Sequence, residues 1–416
     1  MTKVSRRSLL LAGAGAAATA ALPKTLRAQP AGGRWDAVVI GAGVFGAWTA
    51  TRLRAAGKSV LLLDAWGPAH ARASSGGESR LTRGSYGADE VYTRMALDSL
   101  AEWRTLSARA GLPIFHQVGI LFFFPTREAY LDETMRVHRA LGLPTELLEN
   151  AALRARFPQM NFDGIAAGVY EPGFGALMAR RGVQTLVAEF EAGGGTYRQA
   201  QVRPPSGGNG TLASIATGDG ETIAADRFVF ACGPWLGRVF PDLLARRIFP
   251  TRQEVFFFAP APGDRRFEPG QFPGWADFNG GDMYYGFPDL EGRGFKIAHD
   301  AHGPAMDPDS GDRVPSEAAL ADVRNFMALR FPALAGRPLS ESRVCQYENS
   351  SNGDFLIDRH PQWENVTLVG AGSGHGFKHG PAVGRYAAEL ALGTLPAVEP
   401  RFSLATKTEN QARAVY

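Results

Sequence analysis

The sequence predicts two architectures in one chain, an α/β domain with a parallel sheet and an α+β domain with an antiparallel sheet. Three observations carry this. A strand, turn, helix and second strand occupy Asp36 to Asp64, βα character returns in two later pieces, and runs rich in Phe and Tyr lie between those pieces.

The first unit reads Asp36-Ala37-Val38-Val39-Ile40, then Gly41-Ala42-Gly43-Val44-Phe45-Gly46, an Ala-rich amphipathic run to Gly57, and Ser59-Val60-Leu61-Leu62-Leu63-Asp64. This is a Rossmann-type βαβ cradle for a dinucleotide. Gly41 permits the turn, Gly43 lets the backbone approach a pyrophosphate, and Gly46 lets the helix pack closely on the strand, while the helix N-terminus offers N–H groups to the anion. Asp64 ends the second strand, where a carboxylate accepts from a ribose hydroxyl. The motif by itself leaves FAD and NAD(P) both open.

Bulk properties narrow the class. The chain has 416 residues, 45% hydrophobic and 20% charged, which is an ordinary globular composition with room for a large core. Lys3, Arg6, Arg7, Lys24 and Arg27 fall in the first 28 residues, which hold no acid, so removing that segment turns the net charge from +3 to −2. A nearly neutral body argues against a nucleic-acid binder. The apolar run Leu9 to Leu22 is too short to span a bilayer comfortably, so residues 1–28 read as a removed targeting peptide and no stable membrane insertion is expected. Ser5-Arg6-Arg7-Ser8-Leu9-Leu10-Leu11 is similar to a twin-arginine signal; the alternative is an ordinary basic Sec signal. Export by the twin-arginine machinery, to the periplasm, suits a protein that takes up its cofactor before leaving the cytoplasm. Cys232 and Cys345 are the sole cysteines and no metal-ligand spacing appears, so no metal site is expected.

Further along, Ser74 to Tyr86 is a Gly/Ser-rich loop bearing Arg80 and Arg83. Two arginines three apart among small residues suit anion contacts, or pair with Glu78, Asp89 or Glu90 on a surface. Helical periodicity runs from Glu90 to Ala110, from Arg180 to Ala192 and from Pro381 to Leu392. Aromatic strands are expected at Gly119 to Phe124, Val255 to Phe258, Met283 to Phe287 and Gly294 to Ala298. Lys296 lies between Phe295 and Ile297, so its side of the strand reads as polar or wet. Pro260 to Gly274 is a long Pro/Gly loop expected over a site mouth. The α/β domain is thus read as 33–115, 172–246 and 343–393, with the antiparallel substrate domain as 116–171 and 247–342 and a tail at 394–416.

From about Trp35 to Gly393 the sequence resembles the monomeric sarcosine oxidase group of flavin-dependent amine oxidases, in the D-amino-acid-oxidase-like superfamily. The blocks that carry the resemblance are Gly41 to Gly46; Gly77-Glu78-Ser79-Arg80-Leu81-Thr82-Arg83-Gly84-Ser85-Tyr86-Gly87; Tyr284-Tyr285-Gly286-Phe287-Pro288; Gly294-Phe295-Lys296; Val344-Cys345-Gln346-Tyr347; Asp358-Arg359-His360-Pro361; and Gly374-His375-Gly376-Phe377-Lys378. The resemblance makes FAD the cofactor. In that family the cysteine of the Cys-x-Tyr block is bonded through sulfur to the flavin 8α-methyl, which implies covalent flavin on Cys345; a buried structural thiol is the other reading of such a cysteine. Cys232 closes a buried strand without such neighbours and reads as structural.

By the same resemblance, Lys296 stands beside flavin N5, where a cation favours electron transfer to O2. Arg83 and Lys378 grip a substrate carboxylate. Arg80 sits near the flavin, His375 borders the substrate amine, and Tyr285 and Tyr347 line the pocket. Gly374 and Gly376 belong to a Gly-rich turn whose N–H groups would stabilise charge on reduced flavin. The implied activity is oxidation of secondary amino acids with O2 as acceptor, by a monomer; a dehydrogenase feeding a quinone or carrier, and an oxidase of glycated amino acids, are the alternatives. One departure stands out: four residues after Lys296, where sarcosine oxidases have histidine, this chain has Asp300. If Asp300 faces the pocket, the substrate is expected to carry an extra hydroxyl or amine.

Overall fold

Two runs of apolar residues, 37–40 and 60–63, flank the first helix, and every residue of both is buried, as a parallel sheet covered on both faces requires. The computed structural model describes residues 33–279, 282–301, 303–395 and 397–411; the targeting segment expected at 1–28 lies outside them. In chain order the elements are β1 (Ala37–Ile40), α1 (Val44–Ala55), β2 (Val60–Asp64), α2 (Glu90–Arg109), β3 (Ile120–Phe124), α3 (Ala129–Ala140), β4 (Glu146–Glu149) and β5 (Ala167–Glu171). Next come α4 (Ala179–Ala192), β6 (Thr196–Gln199), β7 (Phe228–Phe230), β8 (Phe249–Phe258), β9 (Gly274–Asn279), β10 (Asp282–Phe287) and β11 (Phe295–Asp300). The last are α5 (Glu317–Arg330), β12 (Leu339–Asn349), β13 (Leu356–Arg359), β14 (Val366–Gly370) and α6 (Gly380–Leu392).

The first sheet has six strands in the order β6-β2-β1-β7-β14-β13, parallel except at the β14/β13 edge. Helices α1, α4 and α6 cover one face, and α1 and α6 approach unusually closely because a Cβ on Gly380 or Gly384 would meet Val44 or Trp48 at 2.5 Å. The expected helices form where their periodicity places them: α4 stops at Gly193, and Gly393, at φ +74°, caps α6 in the left-handed region.

The second sheet has eight strands in the order β12-β8-β11-β10-β9-β3-β5-β4, antiparallel except where β9 meets β3. Its two faces differ. The outer face carries Phe256, Phe258, Trp275, Phe295 and Ile297 against α5, with Phe295 and Trp275 stacked at 5.9 Å. Such aromatic pairs add about 0.5–1.5 kcal/mol to plain burial. The loop from Pro260 to Gly274 belongs to this outer face and not to a site mouth, because its Phe267 and Phe272 are buried against Phe295. The inner face turns toward the first sheet. Among the described residues no helix is long and apolar enough to cross a membrane.

Candidate active site

A cleft of about 380 Å³ opens where β1, β7 and β14 end, lined by Gly41, Gly43, Asp64, Ser75, Cys232, Trp235, Gly372 and Gly376 among others. Its shape depends on missing side chains. A Cβ on Gly41, at φ +105°, would meet the Ala231 carbonyl at 2.2 Å, and one on Gly46 would meet the Gly41 carbonyl at 1.8 Å. Around Gly43 the nearest atom is Ser75 Oγ at 3.6 Å, so a side chain there would occupy the cleft itself. Asp64 reaches the cleft, yet both its oxygens already accept backbone N–H groups: Oδ2 from Ala42 at 2.8 Å, Oδ1 from Trp66 and Gly67 at 2.8 and 2.9 Å. Besides lining the cleft, it ties the Gly turn to the loop after β2.

The inner face of the eight-stranded sheet forms a second, smaller cavity of about 100 Å³. Strand period two puts Gln253 and Val255 of β8, Met283 and Tyr285 of β10, Asp300 of β11 and Arg343, Cys345 and Tyr347 of β12 on that one face. Cross-strand pairs fix the register: Gln253 faces Cys345, Thr251 faces Tyr347, and Met283 faces Asp300. Arg83, His375 and Lys378 close the opposite wall. Arg80, Tyr347, Gly374 and Phe377 line both cavities, so the cleft leads into the pocket at these residues.

Cys345 sits at this junction. Its Sγ lies 3.5 Å from Arg80 Nη2, whose guanidinium also donates to the carbonyls of Ser74, Gly77 and Ser79. Neither Arg80 nor Arg83 is a solvated surface arginine; Arg83 is 6% exposed, and its guanidinium lies 3.9 Å from the Tyr86 ring centre. Lys378 is equally buried and donates to the His375 carbonyl at 2.8 Å. Burial, reinforced by the neighbouring Arg83 charge, holds its amine well below the ordinary lysine range, while Glu171 and Asp300 oppose that drop.

Lys296 corrects the expectation of a wet strand face. It is 1% exposed, because β11 is an interior strand whose inner face is covered by the arginine-bearing loop. Its amine donates to the Ser79 carbonyl at 2.8 Å, one residue before Arg80, and lies among the rings of Phe257, Tyr285 and Phe287. Burial and the Arg80 charge push its pKa well down. Lys296 does not border the smaller cavity directly; it supports the loop that does.

His375 lines the pocket, with both ring nitrogens facing protein groups, Nδ1 toward the Tyr86 hydroxyl at 3.1 Å and Nε2 toward the Gly353 carbonyl at 3.1 Å. In the Gly-rich turn the N–H groups of Ser373, His375 and Gly376 are spent on Glu348 and Gly372 carbonyls, so fewer remain for an anion than the sequence promised. Gly374 serves differently: its φ is +80°, and a Cβ would meet the Tyr347 ring at 2.9 Å. Tyr285 has its pKa pushed up to about 12 by burial and then by Asp300. Asp300 does face the pocket and is 7% exposed.

Sequence reasoning missed several members. Glu348, directly after Tyr347, lines the cleft, and burial raises it to about 8. Tyr86 bridges His375 and His379, with its hydroxyl 2.7 Å from His379 Nε2. Glu171 lies behind Arg83 and is raised to about 7 by burial. A charged residue ending a strand looks like a surface residue until the fold covers it. Tyr86 alone stood inside a recognised block.

A glycine-lined dinucleotide cleft leading into a small pocket walled by buried cations defines a cofactor-dependent oxidoreductase. The chain belongs to the DAO family, described as FAD dependent oxidoreductase, which matches residues 36–390. It is similar to monomeric sarcosine oxidase of Bacillus sp. (strain B-0618), 30% identical over 370 residues that span 86% of this chain and 92% of that protein. It is also similar to N-methyl-L-tryptophan oxidase of Salmonella arizonae, 32% identical over 372 residues, 88% of this chain and 97% of the relative. Among solved structures, L-proline dehydrogenase from P. horikoshii shares the fold at a TM-score of 0.75 and 21% identity, covering 86% of this chain and 93% of that one. Fructosamine oxidase from Aspergillus fumigatus does so at 0.74 and 24%, covering 91% and 92%. FAD is the cofactor, as the resemblance implied, and the cleft fits it: the glycine contacts leave open the space a dinucleotide backbone needs.

Proposed function

We propose that this FAD-dependent oxidoreductase is an oxidase of secondary, N-alkyl amino acids whose N-substituent carries a hydroxyl or an amine. The observation that supports it most is the pocket itself, in which Arg83 and Lys378 face Asp300 and Tyr285 beside the junction with the dinucleotide cleft. Bound FAD would supply a two-electron acceptor at N5 and, through O2, its own reoxidation with release of hydrogen peroxide. The protein's residues do the rest. The Arg83 fork orients a carboxylate and Lys378 adds charge. Asp300 and the Gln253 amide offer acceptors to polar groups on the substrate nitrogen. Tyr285, Tyr347 and Phe377 exclude water from the junction.

Three finer parts belong to the same proposal. Cys345 holds the flavin covalently: its sulfur stands where the cleft meets the pocket, 3.5 Å from Arg80 Nη2. Lys296 promotes O2 reduction from behind the Ser79–Arg80 backbone. The protein works in the periplasm after twin-arginine export, a reading that rests on the sequence of residues 1–28 alone. The test is an anaerobic screen for flavin bleaching with sarcosine, pipecolate, proline, N-methylated aromatic amino acids and glycated amino acids, followed by peroxide assay in air. Sarcosine as the best substrate would defeat the polar-substituent claim. Bleaching without peroxide would defeat the oxidase claim in favour of a dehydrogenase.

A further inference from the structure

Glu171, the last residue of β5, is completely buried and takes no part in the chemistry proposed so far. Its Oε1 accepts the Gly84 N–H at 2.9 Å, which anchors the turn immediately after Arg83. Oε1 also lies 3.6 Å from His138 Nε2, too far for a hydrogen bond. Three buried polar atoms meet here without a partner: Glu171 Oε2, Ser85 Oγ and His138 Nε2. The Ser85 hydroxyl can donate to an ionised Glu171 or accept from a protonated one, so the surroundings serve either form. Burial raises the pKa of Glu171 to about 7, while the Gly84 hydrogen bond and the Arg83 charge favour the carboxylate.

The charges nearby explain what would tip the balance. Arg83 and Lys378 are two buried cations, and Glu171 and Asp300 are the two acids whose fields favour a charged Lys378. Without substrate the four offset one another. A substrate carboxylate entering between Arg83 and Lys378 adds a third negative charge in a low-dielectric space. Of the other groups facing Glu171, Tyr86 and Tyr130 are raised by burial and stay neutral, and His138 is kept below the ordinary histidine range by burial, which leaves Lys378, itself lowered by burial, as the rival acceptor of a proton. We propose that Glu171 is a positioning residue that holds the turn beside Arg83 and takes up one proton from solvent when a substrate carboxylate binds. This rests on the carboxylate role given above to Arg83 and Lys378.

The probe is propionate, a carboxylate with no amine to oxidise, titrated into the flavin-loaded full-length protein. Flavin absorbance gives Kd, and a pH indicator in weak buffer gives proton uptake. Wild type should take up roughly three-quarters of a proton at about pH 7.5, rising toward one near pH 8, and lose affinity up to about tenfold per pH unit above the midpoint. Glu171→Gln keeps an acceptor for Gly84 and should bind propionate at a Kd that no longer varies with pH, without uptake. Wild-type binding with no proton uptake would overturn the inference, and needs no variant. So would uptake retained in Glu171→Gln, since the proton would then go to Lys378. If Lys378→Met leaves propionate affinity unchanged, the carboxylate reading itself fails; if that variant weakens binding while wild type takes up no proton, only the role of Glu171 falls.

Discussion

The dinucleotide cleft and the substrate-sized pocket are built by opposite means. The cleft is made by what is missing, since Gly41, Gly43 and Gly46 hold space that any Cβ would take or distort. The pocket is made by what is present: alternate side chains of β8, β10, β11 and β12 face a wall of buried cations. Added atoms should therefore damage the first, and lost charges the second.

The largest expected effect lies in the cleft. Gly46→Ala, whose Cβ would sit 1.8 Å from the Gly41 carbonyl, should abolish flavin retention, read as loss of visible absorbance in purified protein; a yellow, active variant would remove the contrast. Behind the pocket, Lys296→Met should still be bleached by substrate yet reoxidise in air about 10²–10³-fold more slowly, the scale of losing a preorganised charge. Lys378→Ala should raise KM by about 10²-fold, as expected for a buried charge-assisted contact worth roughly 2–3 kcal/mol. Asp300→Asn should shift preference between a polar and an apolar N-substituent by about tenfold, measured as a ratio of kcat/KM values.

The smallest effect concerns stability. Burial raises Glu348 from 4.5 to about 8, so the folded chain holds its proton more tightly than the unfolded chain. The stability this contributes is full below the unfolded value and disappears as the pH rises through the folded one. Tm should fall by roughly a few degrees between about pH 4.5 and 8, and Glu348→Gln should flatten that fall. An equal slope in wild type and variant would mean the acid is not the titrating group.

Much of this was legible in one dimension. The βαβ unit, the ends of α2, α4 and α6, and the residues gathered in the pocket, Arg83, Tyr285, Tyr347, His375 and Lys378, followed from local patterns and from ordered blocks that resemble the family. What escaped was solvation. Lys296 reads as a solvated strand lysine, and nothing in the sequence singles out Glu171 or Glu348, because no residue within a few positions of each reveals the layer that covers it. The Pro/Gly loop was misassigned for the same reason: Phe267 and Phe272 choose the outer face only because Phe295 is there.

By itself the sequence determined the backbone-local features: where glycine must stand, where helices stop, and which residues alternate along a strand. These follow from sterics and periodicity over short spans. Tertiary structure decided which face of the eight-stranded sheet meets the cleft, and hence which charges are buried together. Strand order and covering layers bring together residues as distant as Arg80 and Cys345, and a charge has its pKa set by those neighbours and by lost water, not by its place in the chain.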